Sequence, residues 1–551
     1  MNPFNGEFLG SNCSISTKLQ QWEIELKDDV DKNFLLDGVK YGFRLSDPGT
    51  KPVEAEQKNH KSSVENKELI EKELVDQIEK GNYFVASKKP TIVSAVGAIP
   101  KSNGKIRLIH DGSLPENISM NDYATTEKVK FQTISDACGI AKPGYYCAKL
   151  DLLAAYRSVA IHPSEYQMTG LKWIFKGNTE PTYLFDSRLP FGARKGPAIF
   201  HRISQAIRRC MARRGYKEMV AYIDDFLVVG RTFEECNKSL QELMKLVRKL
   251  GFYISYDKVE GPSQKITFLG LQICTTDCTL SLGEDKLVKL EDQLRQFSMR
   301  KRATLRQLQR LAGSLNYATR AVRGGKFFLR RILDVMHPLQ KKGHKAQLSA
   351  EFKKDVAWWL TYMRVFNGTV YYSDIPNVHV WVDACNVSAG AFCNGDWCYT
   401  VFQCDIPAAS NLHINYKETV AVVNAVTMWA DRFKYRNIIV HTDSTATKGI
   451  INKGYTKNVF INALLRKMFW SCVNHNCQVI AVSVPGALNQ MADTISRLHE
   501  RGKPELLSLL LSYWSHKTYP MSIDLLEHMT VKTFRFLCLQ MRKPDFRRNL
   551  R

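Results

Sequence analysis

MVAYIDDFLVVG, residues 219–230, decides how this chain is read. Its apolar residues are mostly β-branched, aromatic or aliphatic and read as a strand pair, yet Asp224 and Asp225 interrupt them. Strand alternation places Tyr222 and Asp224 on one face, with Asp225 leaving it near a turn. Two unpaired carboxylates in an apolar β-rich stretch are expensive to bury. A divalent cation removes that cost, and hard oxygen ligands suit Mg²⁺.

Working outward, a third acid lies upstream. Asp151 ends the apolar run YYCAKLDL (145–152), and Tyr156 follows five residues later. Between the two acidic segments, RLPFGARKGPAIFHRI (188–203) supplies Gly192, Gly196 and Pro197, a tight backbone stretch before an apolar helix where a ligand can come close. GKIRLIHDG (104–112) sets Lys105 and Arg107 beside a strand, suited to gripping a triphosphate. The spacing of Leu69, Ile70, Leu74 and Ile78 before Gly81 predicts a helix over 68–80.

A second acidic set lies far downstream. VHVWVDA (378–384) presents Asp383 at the end of an alternating strand. In NYKETVAVVNAVTMW (415–429), Glu418 heads a helical stripe of Ala421, Val422, Ala425 and Trp429. NIIVHTDS (437–444) ends on Asp443, with Ser444 or Thr445 placed to cap the next helix, and NQMADTISR (489–497) carries Asp493 near a helix start. Taken singly, each acid reads more simply as a cap or a surface charge.

The chain has 551 residues and a formal net charge of +24, which favours a polyanionic partner, with nucleic acid ahead of membrane. Between Arg295 and Lys345, fourteen Lys or Arg face a single acid, Asp334. In that stretch Leu305, Leu308, Ala312 and Leu315 keep to one helical side and leave the arginines to the others, where they follow phosphates or simply form a solvated, soluble face. The longest near-apolar run, Leu506–Trp514, is too short to span a bilayer, and the start lacks the pattern of a secretory signal. Fourteen cysteines without CxxC pairs point to reduced thiols, hence an expected cytoplasmic or nuclear location.

Residues 67–283 resemble the fingers and palm of a retroelement reverse transcriptase. The resemblance rests on Arg107-x-x-x-Asp111, Asp151 with Tyr156, Leu189-Pro190-Phe191-Gly192 with Gly196-Pro197-Ala198-Ile199-Phe200, Tyr222-Ile223-Asp224-Asp225 and Phe268-Leu269-Gly270, in order. It implies that Asp151 and Asp224 ligate two Mg²⁺ ions (Mn²⁺ being the other candidate), with Asp225 in support. It also implies that Tyr156 excludes a 2′-hydroxyl, that Phe191 and Gly192 face the incoming nucleotide, and that Lys105 and Arg107 hold its phosphates. Lys258 becomes a general acid for pyrophosphate.

The downstream acids resemble the ribonuclease H that follows such polymerases. That implies a two-metal site of Asp383, Glu418, Asp443 and Asp493 cutting the RNA strand of an RNA·DNA hybrid. Ser483 departs from the pattern, standing where related elements often carry a histidine, so slower or altered cleavage is expected. FLLDGVKYGFRL (34–45), LRQLQRLAGSLNYATR (305–320) and WWLTYMRVFNG (358–368) resemble DIRS-type elements, which integrate with a tyrosine recombinase.

The expected fold is multidomain α+β and α/β, a right-hand polymerase followed by a ribonuclease H-like domain. The expected order is an extension and linker (1–66), fingers and palm (67–283), a basic helical thumb or connection (284–372), a ribonuclease H-like domain (373–500) and a tail (501–551). Expected partners are an RNA template, a DNA primer, RNA·DNA hybrid and deoxynucleoside triphosphates, with any recombinase or integrase encoded elsewhere and no membrane. The alternative is a decayed or repurposed nucleic-acid-binding protein that keeps the cleft without the chemistry.

Overall fold

The computed structural model describes residues 15–100, 104, 106–126, 128–372 and 375–500. Lys105 and the tail from Arg501 lie outside the described residues. Two compact units emerge, one running to Leu280 and including Val370–Tyr372, the other made of Ser281–Thr369 and the remainder.

The first unit contains two main sheets. In one, Ile92–Pro100 pairs antiparallel with Ile106–Asp111 and parallel with Gly170–Trp173, which continues to Thr182–Asp186 and Tyr83–Val85. The helix Lys67–Glu79 packs Ile70 and Leu74 into the core of this sheet with Val96, Leu171 and Leu184, as the apolar spacing predicts. Leu69 is the exception and is largely exposed, because it falls outside that stripe.

The other sheet positions the first acidic set. Tyr146–Leu153 lies at its centre, paired antiparallel with Asp225–Gly230, which pairs in turn with Met219–Tyr222. Tyr253–Ile254 and Glu260–Ser263 take the opposite edge of the central strand. The helix Gly196–Arg213 packs Ile199, Phe200, Ile203, Ala206, Ile207 and Cys210 inward, and Pro197 pre-sets its first turn. The helix Phe233–Lys249 begins with the Thr232 hydroxyl accepting from Glu235 N at 3.2 Å.

Residues 15–66 are built into this unit. Trp22, fully buried, donates from Nε1 to Leu250 O at 3.0 Å and meets Phe252 edge-on. Asp29 and Asp31 receive Arg209, Arg202 stacks 3.6 Å from the Phe34 ring centre, and Arg202 also holds Asp31. The stretch 47–66, polar enough to read as a linker, is also engaged. Asp47 pairs with Lys195 at 2.5 Å, Ala55–Glu56 adds a parallel strand beside Ile92, and His60 Nε2 sits 2.9 Å from Asp111. Its polarity reflects side chains committed to specific partners.

In the second unit, the helix Ala350–Tyr362 and the turn Gly325–Phe328 meet the helix Val459–Asn474 through a cluster of large rings, and Phe297 of the helix Glu284–Met299 packs on Phe352. Trp358 stacks on Phe328 at 4.1 Å, and Phe469 meets Phe327, Phe328 and Phe366. A five-stranded sheet in this unit has the order Asp396–Val401, Ser388–Cys393, Asn377–Ala384, Asn437–Thr442, Gln478–Ser483. Its first three strands are antiparallel and its last two pairings parallel. Among the described residues, no helix is long and apolar enough to cross a membrane.

Candidate active sites

The register of the central sheet brings the first acids together. Asp151 and Asp225 are direct cross-strand partners, so their side chains share a face, and Asp225 hydrogen-bonds Asp151. Asp224 departs from the strand alternation read in the sequence. It occupies a two-residue turn with Ile223, because Tyr222 already pairs with Asp225 and no strand position is left between them. Burial and the Asp151 charge raise the Asp224 carboxyl above its ordinary range. Burial, then the charges of Asp224 and Asp151, push Asp225 up to about 7.

Basic groups face this cluster. Lys258 Nζ lies 3.0 Å from Asp151 Oδ1, which holds its ammonium above the usual lysine range. Arg107, exposed on Ile106–Asp111, is close enough to Asp224 to favour its ionised form. Tyr156 is buried, stacks on Phe191 at 5.0 Å and 25°, and touches Phe200 at 5.3 Å. Phe191 stays 45 % exposed, so the stack offers one open ring at the site. Gly192 has φ +123°, and a Cβ there would lie 2.4 Å from the His110 carbonyl oxygen. Only glycine lets this loop approach that strand so closely.

Two positioning residues escaped the sequence reading. Asn121 donates to Gly192 O at 2.9 Å and accepts from Arg194 N at 2.7 Å, tying down the loop. Ser204, fully buried on the helix Gly196–Arg213, reaches Ile223 O at 2.5 Å. A polar residue on an apolar helix face was the available signal for Ser204; nothing in the sequence marked Asn121.

The second acids also meet. Asp383 ends its strand beneath the Ser496 hydroxyl at 2.7 Å, and burial, with the charges of Asp443 and Asp493, pushes it up to about 6. Glu418 is raised to about 7 by burial and then by Asp443 and Asp383, with Thr447 Oγ1 at 3.5 Å. Of the two cap candidates, Ser444 and not Thr445 caps the helix Thr445–Lys453. Asp493, on Gln490–Ser496, accepts from Arg497 Nε at 2.8 Å. Ser483 is exposed at the end of its strand, opposite Thr442, the neighbour of Asp443.

Among the described residues, no three His, Cys, Asp or Glu side chains stand in a ready-made metal shell. Lys258 and a retained proton offset charge at the first cluster. Both donor sets are nonetheless hard carboxylate oxygens whose crowded charges disfavour ionisation, and such sets fit a hard divalent cation.

The fold is that of a right-hand polymerase with a ribonuclease H-like domain after it. It is similar to the foamy viral protease-reverse transcriptase dRH solved with double-stranded DNA, at TM-score 0.51 and 16 % identity over 85 % of this chain and 82 % of that one. The same viral protein solved with RNA/DNA hybrid gives 0.51 and 14 % over 84 % and 63 %. Residues 99–273 match the family described as reverse transcriptase (RNA-dependent DNA polymerase). The chain is 33 % identical over 135 residues to the Gag-Pol polyprotein of Gibbon ape leukemia virus, covering 23 % of this chain and 8 % of the polyprotein. It is 24 % identical over 338 residues to the enzymatic polyprotein of Cauliflower mosaic virus (strain D/H), covering 57 % and 45 %. The chain thus spans less than half the length of these polyproteins. It carries a reverse transcriptase domain of the retroviral and retroelement type.

Proposed function

We propose that this protein copies RNA, and DNA, into DNA and degrades the RNA strand of the resulting hybrid. The observation that carries the reading is the meeting of Asp151, Asp224 and Asp225 beside the Tyr156–Phe191 stack and Lys258. Two divalent ions held by Asp151 and Asp224, with Asp225 in support, would supply activation of the primer 3′-hydroxyl and charge neutralisation on the pyrophosphate. The chain's own residues do the rest. Arg107, with Lys105 from the same segment, holds phosphates, and Phe191 and Gly192 bound the nucleotide. Tyr156 blocks a 2′-hydroxyl, while Lys258 stands ready to give a proton to the leaving group.

Asp383, Glu418, Asp443 and Asp493 would form the hydrolytic site and hold divalent ions there, which would supply activation of water for attack on the RNA strand. Nucleic acid would run along the exposed arginines of Leu305–Ala318, Arg306 and Arg310, with Arg302 and Arg320 at its flanks. The substrates are a primed RNA template and deoxynucleoside triphosphates. The motifs at 34–45, 305–320 and 358–368 favour a DIRS-type element, working in the cytoplasm or nucleus.

Intact acids at seven positions favour this over a decayed binding protein. The deciding experiment extends a DNA primer on an RNA template with Mg²⁺ and follows the RNA in the same tube. Extension with concurrent RNA shortening is expected; binding without either selects the non-enzymatic alternative.

A further inference from the structure

Behind the Tyr156–Phe191 stack lies a buried charge pair to which the polymerase reading gives no role. Arg157 Nη1 donates to both carboxylate oxygens of Asp186 at 2.7 Å; the Asp186 side chain is fully buried and that of Arg157 is 13 % exposed. Arg157 also hydrogen-bonds Tyr83, itself buried, and its guanidinium carbon lies 5.4 Å from the Tyr83 ring centre and 5.8 Å from that of Phe191. Asp186 is fixed in turn. Its carboxylate accepts from Arg188 N at 2.9 Å, its backbone N–H donates to Thr169 O at 3.1 Å, and its carbonyl accepts from the Thr169 hydroxyl at 2.7 Å.

Phe191 therefore touches two things at once, the Tyr156 ring and a guanidinium that is anchored from below. A buried ion pair is weak evidence for stability, since desolvation offsets its attraction and apolar residues of the same volume serve as well. What it supplies is orientation. A planar guanidinium held by a carboxylate and a phenol has one allowed plane, and rings packed on it inherit that constraint.

We propose that the Arg157–Asp186 pair is the positioning element of the nucleotide platform. It fixes Phe191, and through the stack Tyr156, and so sets how strictly the site separates deoxyribonucleoside from ribonucleoside triphosphates. The inference rests on the polymerase reading above. Arg157 touches no substrate and acts through the two rings.

The test is single-nucleotide incorporation by the full chain, with Mg²⁺ and matched deoxy- and ribonucleoside triphosphates, for wild type, Asp186→Asn, Arg157→Lys and Tyr83→Phe. Loosening the rings acts on substrate fit, so Asp186→Asn should lower the deoxy-to-ribo ratio of kcat/KM about 10-fold, chiefly through KM. Arg157→Lys keeps the charge but not the plane and should move the ratio the same way. Tyr83→Phe removes one hydroxyl, leaves the ring and should shift the ratio about 2- to 3-fold. Because Tyr83→Phe and Arg157→Lys disturb the fold least, unchanged selectivity in both overturns the inference even if Asp186→Asn does not fold. A fall in kcat alone, with KM and selectivity intact, also overturns it. A wild-type chain that extends no primer removes the polymerase reading and this inference with it. A wild type that discriminates, with variants that discriminate equally, removes only the inference.

Discussion

The hydroxyl of Ser204 lies 2.5 Å from the carbonyl oxygen of Ile223, the residue just before Asp224. Ile223 has φ +53°, a conformation that β-branched residues avoid and that stores strain of about 1–3 kcal/mol. Ser204 also reaches Phe200 O at 2.7 Å, so one hydroxyl proton serves both carbonyls. Ser204→Ala should cost about 1–3 kcal/mol by leaving a buried carbonyl short of a donor. It should also slow single-turnover extension, since the turn carries Asp224. Urea midpoints and single-turnover rates check this, with Ser204→Thr recovering part of both. Lost stability with an unchanged rate would confine Ser204 to the fold.

Asp224→Asn removes one negative charge from a site where two other carboxylates remain close. Primer extension should fall by several orders of magnitude while hybrid binding, measured by filter retention, stays within a few-fold. Equal loss of binding and extension would make Asp224 a structural residue instead.

The metal-free protein should lose stability as pH rises. Asp225 and Glu418 hold their protons to about 7 and Asp383 to about 6, because burial and neighbouring carboxylates disfavour their charged forms. In the unfolded chain these acids ionise near their ordinary values, around 4. Between those limits the folded state binds more protons, so their contribution is fully present below about 4 and is lost as pH climbs through 6 to 7. Asp225→Asn should therefore gain stability relative to wild type across that window, read by chemical denaturation in chelator. Mg²⁺ binding selects the ionised acids, so its affinity should rise over the same range. A variant advantage that stays flat with pH would show that Asp225 ionises normally.

Asp443→Asn should stop RNA cleavage and leave DNA synthesis running. Asp443 raises both Asp383 and Glu418, so its removal should also lower those two carboxyls toward their usual range. Gel analysis of labelled RNA and of extended primer in one reaction separates the activities. Joint loss would contradict two independent sites.

Much of this was legible because strand and helix periods are local. Asp151, Asp383, Glu418 and Asp443 sit where apolar alternation or a helical stripe put them, and Ile70 and Leu74 are buried as their spacing requires. Asp224 was misplaced by a single step, since a turn led by isoleucine violates the expectation of glycine and Ser204 compensates from 19 residues upstream. The basic stretch was legible as charge but not as use. Arg331 is spent on Asp355 at 3.0 Å, Arg330 on Asp334 at 2.5 Å, Arg323 on Cys477 O and Lys326 on Asn452 O, leaving fewer cations for phosphates than composition suggests. Apart from the i,i+4 pair Arg330–Asp334, these partners lie 24 or more residues away and leave no mark in local sequence.

The same blindness hid the start of the N-terminal segment, where the partners of Trp22 and Asp29 lie 180 or more residues away. Trp22 bonds Leu250 O, and Asp29 receives both Arg209 and Arg213 from the helix that also carries Ser204. Trp22→Ala should cost about 3–5 kcal/mol, because it opens a cavity at a fully buried position and strands a backbone carbonyl. Asp29→Asn should leave Arg209 and Arg213 beside an Asp31 that Arg202 already holds, and loosen the start of the segment without a cavity. If the segment braces that helix, both variants should lower the thermal midpoint and reduce primer extension more than RNA cleavage, since the hydrolytic acids lie in the other unit. Equal decline of the two activities would instead mean that the segment supports the whole chain.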